Sequence, residues 1–191
     1  VAGRGIRLLR EKGLEVVAGV LRGECERQNE VFFHFMRTKL PFTVLKYAMT
    51  LDGKTATVSG KSQWITGEAA RKRVHEDRGR YMAILTGVST VLADNPQLTC
   101  RIPGGKNPIR VIADTKLRTP LSSTVVQSAR ETPTWIVTAV SDAGRKKAYE
   151  DAGCRVLSVP ANEGELDLQA MMQRLGEEKV DSVMVESGGT L

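Results

Sequence analysis

Histidine and cysteine are scarce in this chain of 191 residues: His34 and His75 are the two histidines, Cys25, Cys100 and Cys154 the three cysteines. The thiols are widely spaced and form no Cys-x-x-Cys pair, so a Cys/His zinc site and a disulfide framework are both unexpected, and no metal ligand is assigned. Unpaired thiols suit a reducing compartment, and the cytoplasm is the expected location. Long apolar runs are missing as well. No stretch approaches the roughly 20 apolar residues that cross a bilayer. Val1–Arg10 is interrupted by Gly and Arg, unlike a secretory leader. A membrane partner is therefore not expected. Aromatic residues make up only 5%, too few for the row of rings on which single-stranded nucleic acid stacks.

What remains is an ordinary globular composition. Hydrophobic residues at 41% are enough to build a core, and the length suits one full domain with a piece of a second. Lysine and arginine number 28 against 22 acidic residues, a net charge of +6. Such a surplus can serve nucleic acid or attract phosphorylated small molecules. The basic residues are dispersed apart from Lys61, Arg71–Arg73 and Arg78–Arg80, and Arg71-Lys72-Arg73 reads as a solvated helix face. No nucleic-acid partner is expected.

Along the chain, Ile6–Lys12 reads as the end of a helix closed by Gly13, and Leu14–Val20 as a β-rich stretch. Glu24–Met36 has Val31, Phe32 and Phe35 at helical spacing. Thr38–Pro41 is a linker, because Pro41 cannot extend a helix and biases Leu40 toward extended backbone. Thr43–Thr50 alternates like a strand, with Asp52-Gly53 as a hairpin turn and Thr55–Val58 as its partner. Thr66 is placed to cap a helix over Glu68–Asp77. Thereafter short apolar runs alternate with helical patterns: strands at Met82–Thr86, Ile109–Ala113, Trp135–Val140, Arg155–Val159 and Val183–Glu186, helices at Ala143–Asp151 and Asp167–Leu175. Asp142 should cap the first of these helices and Gly153 close it. This alternation implies parallel βαβ units, with antiparallel character added by the hairpin. The sequence stops one residue after a strand and a Gly-Gly-Thr turn, where a helix should begin, so a fragment of something longer is expected.

Three segments can carry chemistry. Ser59–Thr66 is a polar loop in which Trp64 offers a flat face and the following helix offers free N–H groups; Trp64 could equally be a core anchor. Thr86–Pro96 runs strand, glycine, hydroxyls, short helix, which turns backbone N–H groups toward an anion; it could also be an ordinary strand-to-helix turn ended by Asn95-Pro96. Val183–Thr190 delivers the Glu186 carboxylate and a glycine pair to the carboxyl end of a buried strand, the edge where open α/β sheets bind ligands. Glu186 could instead be a salt-bridged structural residue. His34 and His75 read as helix-surface residues, His75 solvated beside Glu76.

These segments also carry a resemblance. KYAMTLDGKTA at Lys46–Ala56, SQWIT at Ser62–Thr66, GVSTVLADNP at Gly87–Pro96, LTCR at Leu98–Arg101, PIRVIAD at Pro108–Asp114 and VESGGT at Val185–Thr190 occur in the order found in the reductase domain of the bifunctional RibD family. That family of riboflavin biosynthesis joins a pyrimidine deaminase to a 5-amino-6-(5-phosphoribosylamino)uracil reductase. The resemblance implies a dihydrofolate reductase-like fold, a mixed, mainly parallel sheet flanked by helices, for residues 42–191. Residues 1–38 resemble the closing segment of the α/β cytidine deaminase-like domain, and residues 39–41 join the two. The family's zinc motif, H-x-E with a later P-C-x-x-C, does not occur here, so zinc and deamination are assigned to the parent protein alone.

By the same resemblance, NADPH would be bound by Ala48, Trp64, Thr90, Asp94, Thr115, Gly188, Gly189 and Thr190. The phosphorylated ribosylaminopyrimidine substrate would be bound by Ser62, Arg78, Leu98, Arg101 and Glu186, with Glu186 also catalytic. The reaction implied is hydride transfer from NADPH to the anomeric carbon, giving a ribitylamine. The whole protein is expected to be a homo-oligomer. One departure is visible: Glu186-Ser187-Gly188 stands where the family usually has Glu-Gly-Gly, adding a Cβ to the glycine loop. The rival readings are a basic nucleic-acid-binding module and a catalytically silent scaffold of the same fold. Salt-dependent retention on nucleic acid would mark the former.

Overall fold

The computed structural model describes residues 3–60, 62 and 64–188. In chain order the elements are α1 (Arg4–Glu11), α2 (Arg22–Gln28), α3 (Glu30–Thr38), β1 (Phe42–Leu45), α4 (Glu68–Arg80), β2 (Ala83–Gly87), α5 (Val88–Asp94), β3 (Ile109–Ala113), α6 (Thr124–Gln127), β4 (Thr134–Thr138), α7 (Ala143–Asp151), β5 (Arg155–Ser158), β6 (Ala161–Asn162), β7 (Glu165–Leu166), α8 (Leu168–Glu177) and β8 (Ser182–Val185).

Six strands form one sheet in the order β1-β8-β2-β3-β4-β5, and every pairing in it is parallel. The reason lies in the inner strands β2, β3, β4 and β8, which are buried almost throughout because helices cover both faces, whereas the edge strands β1 and β5 keep exposed positions. Successive side chains still point to opposite faces. Ala83, Leu85, Val111, Ala113, Val137 and Val183 pack on one side with Met171 and Leu175 of α8. Ile84, Ile112, Ile136 and Met184 pack on the other with Val91 of α5, Val125 and Val126 of α6 and Tyr149 of α7. Each buried Val, Leu, Ile or Met among them stabilises the fold by about 1.5–3 kcal/mol. Asp142 and Asp167 cap α7 and α8 through hydrogen bonds from the Arg145 and Ala170 backbone N–H groups.

From β2 the sheet grows outward through β3, β4 and β5, and α8 then returns the chain so that β8 lies between β1 and β2. The order therefore reverses between β2 and β8. All carboxyl ends share one edge, and the crevice at that reversal is where such sheets hold ligands.

Several expected elements differ. Leu14–Val20 forms no strand. The helix expected over Glu24–Met36 divides at Asn29, whose backbone N and side-chain Nδ2 both donate to the Cys25 carbonyl, closing α2. The strand expected over Thr43–Thr50 ends at Leu45, because its neighbour β8 ends opposite, at Val185. Asp52-Gly53 does turn the chain: Gly53 has φ +78 and its N–H donates to Thr50. Thr55–Val58 does not pair as a strand, so the expected antiparallel hairpin is absent there. Antiparallel pairing is found instead between β6 and β7, joined by Glu163 and Gly164, both at positive φ. Gly67, not Thr66, occupies the cap of α4. None of α1, α2 or α3 contains a buried residue.

Candidate functional site

Glu186 follows β8 immediately, and its N–H donates to the Leu85 carbonyl of β2 at 2.9 Å, extending the ladder one step past the strand. This places the carboxylate at the reversal point. Arg78, in the last turn of α4, grips it from the side: Nε donates to Oε1 at 2.7 Å and Nη2 to Oε2 at 2.9 Å. The two side chains are 12% and 10% exposed, so the pair is shielded from bulk solvent. The remaining Arg78 arm, Nη1, donates to the Thr99 carbonyl at 3.0 Å. Lys46, one residue past β1, brings its Nζ to 3.7 Å from Glu186 Oε2. Arg78 and Glu186, expected as separate substrate contacts, are thus bonded to each other, and Lys46, absent from the expected contacts, joins them. Its place inside the KYAMTLDGKTA motif was the available signal. A guanidinium, an ammonium and a carboxylate thus converge from α4, β1 and β8.

The segment leaving Lys46 carries half-buried Ala48 and then borders an open cleft of about 820 Å³, lined by Met49, Thr50, Leu51, Thr57, Ser62, Trp64 and Ile65. Ser62 and Trp64 thus share one cleft. Trp64 is 71% exposed, which removes the alternative that it anchors the core. The Arg71 guanidinium lies 4.6 Å from the centre of its ring, and Arg71 Nη1 donates to the Thr66 carbonyl at 2.8 Å. Arg71 is thereby tied to the loop rather than forming part of a free basic face.

Thr115 stands at the carboxyl end of β3. Its carbonyl accepts from Thr138 Oγ1 at 3.1 Å and from Ala139 N at 3.2 Å. The preceding Asp114 is fully buried, and its Oδ2 accepts from both N and Oγ1 of Thr119 at 2.7 Å. Asp114 Oδ1 has no partner among the described groups. The Tyr149 hydroxyl donates to the Thr119 carbonyl at 2.7 Å, and burial, with Asp114 nearby, raises its pKa. Asp114 therefore fastens the loop that presents Thr115, a connection not visible in the sequence.

Thr90 lies half-buried in the first turn of α5. Asp94 is the last residue of that helix and is exposed. Asn95 follows at φ 42, and its Oδ1 accepts from Thr124 N at 2.8 Å, joining α5 to the start of α6. Leu98 is 4% exposed and belongs to the core, so its side chain is turned away from any ligand. Only its backbone, at φ 54, is free for the contact expected of it. Arg101 is exposed and meets His75, which is half-buried rather than solvated. Burial, with the Arg78 and Arg101 guanidinium groups, holds the His75 imidazole below its ordinary pKa. Gly188 is exposed, with open space around its α-carbon, whereas Gly189 and Thr190 lie outside the described residues. Among the described residues no cluster of His, Cys, Asp or Glu could hold a metal ion, and no helix is long and apolar enough to cross a membrane.

Comparison with known proteins matches residues 41–191 to the family model of the RibD C-terminal domain. The riboflavin biosynthesis protein RibD of Actinobacillus pleuropneumoniae is 49% identical over 191 residues, covering 100% of this chain and 51% of that protein. A solved diaminohydroxyphosphoribosylaminopyrimidine deaminase/5-amino-6-(5-phosphoribosylamino)uracil reductase from Thermotoga maritima is 36% identical, with a TM-score of 0.80 over 98% of this chain and 50% of that one. The riboflavin biosynthesis reductase Rib7 of Saccharomyces cerevisiae is 27% identical, with a TM-score of 0.61 over 80% of this chain and 65% of that one. The chain spans about half the length of the curated relatives it matches.

Proposed function

This chain belongs to the RibD C-terminal domain family, and on that premise we propose that it carries the reductase half-reaction of riboflavin biosynthesis, the NADPH-dependent conversion of 5-amino-6-(5-phosphoribosylamino)uracil to its 5-phosphoribitylamino product. The observation that supports this most is the meeting of Lys46, Arg78 and Glu186 at the point where the sheet order reverses, beside a cleft edged by Trp64.

The residues present suit NADPH. Trp64 offers an exposed ring face, the β2 and β3 ends bring Thr90 and Thr115 to the same edge, and Gly188 leaves room for close backbone approach. These residues, with Ala48, Asp94, Gly189 and Thr190, would hold the cofactor. NADPH when bound supplies the hydride. Ser62, Arg101 and the Leu98 backbone would hold the phosphorylated sugar, and Arg78 would fix Glu186 while sharing the substrate contact. Glu186 would accept a sugar hydroxyl, and Lys46, next to it, is a proton-bearing group for the reacting nitrogen. The whole protein would pair this reductase with a zinc deaminase, as a homo-oligomer in the cytoplasm. Residues 1–38 would close the deaminase domain, 39–41 link the two, and 42–191 form the reductase. Exposed Leu8, Leu9, Phe32 and Met36 in the first segment suit helices that pack against further chain.

The test is NADPH consumption with the ribosylamino substrate by the whole protein and by Glu186→Gln and Trp64→Ala. Glu186→Gln should lose turnover while keeping NADPH affinity. Trp64→Ala should weaken NADPH binding with little change in melting temperature. A whole protein that neither binds nor oxidises NADPH overturns the reading.

A further inference from the structure

Trp64 is 71% exposed, yet it forms part of a cleft wall. A ring this exposed has little packing to hold its rotamer, and ordering it when a ligand arrives costs side-chain entropy. One neighbour removes that freedom beforehand. The Arg71 guanidinium lies over the indole, 4.6 Å from the ring centre, and its Nη1 donates to the Thr66 carbonyl at 2.8 Å. Arg71 itself does not line the cleft. It therefore covers one side of the ring, and the cleft meets the rest.

Local electrostatics do not account for this placement. Arg71 sits in the first turn of α4, at the helix end that carries partial positive charge and suits acidic residues such as Glu68. Arg73 pairs with Glu76 and Asp77, whereas among the described residues Arg71 pairs with no carboxylate. What the position does provide is reach. Helical side chains lean toward the N-terminus of their helix, so a long one in the first turn lies back over the chain before it. That direction carries the guanidinium past the Gly67 cap to Thr66 and Trp64. The backbone is anchored the same way, since Arg71 N donates to the Gly67 carbonyl at 3.2 Å. One rigid plane thus touches both the ring and the chain that carries it.

We propose that Arg71 is a positioning residue for the cleft: it braces the Trp64 ring from outside, so that the free side of the indole is presented, already ordered, to the nicotinamide cofactor. A planar guanidinium suits this task. It stacks on an aromatic face while its edge N–H groups stay available for a carbonyl, whereas a lysine ammonium has no plane to stack. The brace acts through Trp64 and touches no ligand itself, so the two side chains count as one unit in binding. That the cleft takes the cofactor rests on the reductase reading; the brace rests on the Trp64 and Thr66 contacts alone.

The experiment uses the whole protein as wild type, Arg71→Ala and Arg71→Lys, each also in a Trp64→Ala background. Acrylamide quenching of tryptophan fluorescence, taken as the difference that Trp64→Ala makes, reads the Trp64 ring alone. Arg71→Ala should raise that quenching, because it uncovers one face of the ring. NADPH titration then reads the cleft. Arg71→Ala should weaken NADPH binding by about three- to tenfold. In the Trp64→Ala background the same substitution should change it by less than about twofold. Arg71→Lys, which keeps the charge without the plane, should bind NADPH nearly as weakly as Arg71→Ala. Wild-type affinity in Arg71→Lys overturns the proposal, since Arg71 would then serve as a simple charge. An equal loss with and without Trp64 overturns it too, as does Trp64 quenching unchanged by Arg71→Ala. Wild-type protein that binds no NADPH while Arg71 still shields Trp64 overturns the reductase reading and keeps the brace. NADPH-dependent reduction with quenching and affinity independent of Arg71 does the reverse.

Discussion

Arg78 and Glu186 stand 108 positions apart in sequence and are joined by two parallel hydrogen bonds of 2.7 and 2.9 Å. The geometry is the fork-to-carboxylate match that makes such pairs strong. It joins the end of α4 to the end of β8 across the candidate site, so the helix that contributes His75 and the strand that contributes Glu186 are fixed to one another. Removing either partner therefore disturbs both the site and its support.

Arg78→Ala should cost about 3 kcal/mol, since it leaves a nearly buried carboxylate with only the more distant Lys46. Glu186→Gln should cost less, because the amide oxygen can still accept from Arg78. A double-mutant cycle read by urea unfolding should give a coupling of about 1 kcal/mol or more. Additive effects would mean that the two side chains act separately.

Asp114→Ala should lower stability by about 1–3 kcal/mol, because it strips a buried acceptor from Thr119 N and Oγ1. If the fastened loop presents Thr115 to the cofactor, NADPH affinity should also fall, while the affinity for ribose 5-phosphate stays unchanged. Titration of both ligands with one variant checks this. Asp114→Asn, whose side-chain oxygen still accepts, should recover part of the cofactor affinity.

Gly176→Ala tests a conflict between local and tertiary preference. Within an isolated helix the change would favour α8 by about 1 kcal/mol. In the folded protein the new methyl would collide with the Lys39 backbone carbonyl, where residues 39–41 cross the helix. Backbone cannot yield as a flexible side chain can, so overpacking of about 1–3 kcal/mol should win. Thermal unfolding should show a lower midpoint. A raised midpoint would mean that the crossing segment moves away at no cost.

Arg110→Met addresses a fully buried arginine whose five guanidinium hydrogen bonds go to the Gln97, Val125, Ser128 and Thr132 carbonyls and the Ser128 hydroxyl. Methionine fills the space but leaves those acceptors unmatched, and a loss of about 3 kcal/mol or more is expected. The pH dependence has a definite sign. Burial lowers the Arg110 pKa to about 10. Above about pH 10, and up to the ordinary arginine value, the unfolded chain holds a proton that the folded one does not, so this group's contribution to stability rises with pH. The deficit of Arg110→Met relative to wild type should therefore widen as pH rises through 10. A constant deficit across that range in denaturant titrations would count against it.

The sequence alone determined the alternation of buried strands and helices from Met82 onward, the bounds of β3, and the cap at Asp142. These are legible because each depends on residues within one turn or one short apolar run: a carboxylate before a helix, or five consecutive side chains that suit burial on both faces. The motif residues around Trp64, Arg101 and Glu186 were legible in the same way, as local patterns with chemistry attached. Tertiary structure decided where those patterns stop and what they touch. β1 ends at Leu45 because its neighbour ends, although Tyr47 and Met49 continue the strand pattern. Leu98 goes into the core while Arg101, three residues on, turns out to meet His75. Lys46 and Arg78 reach Glu186 because the chain's return through α8 sets β8 between β1 and β2, and no local pattern encodes that placement. Hydrogen bonds and charge pairs between distant segments depend on which side chains the sheet order brings within about 3 Å, and that order follows from how the apolar faces pack together.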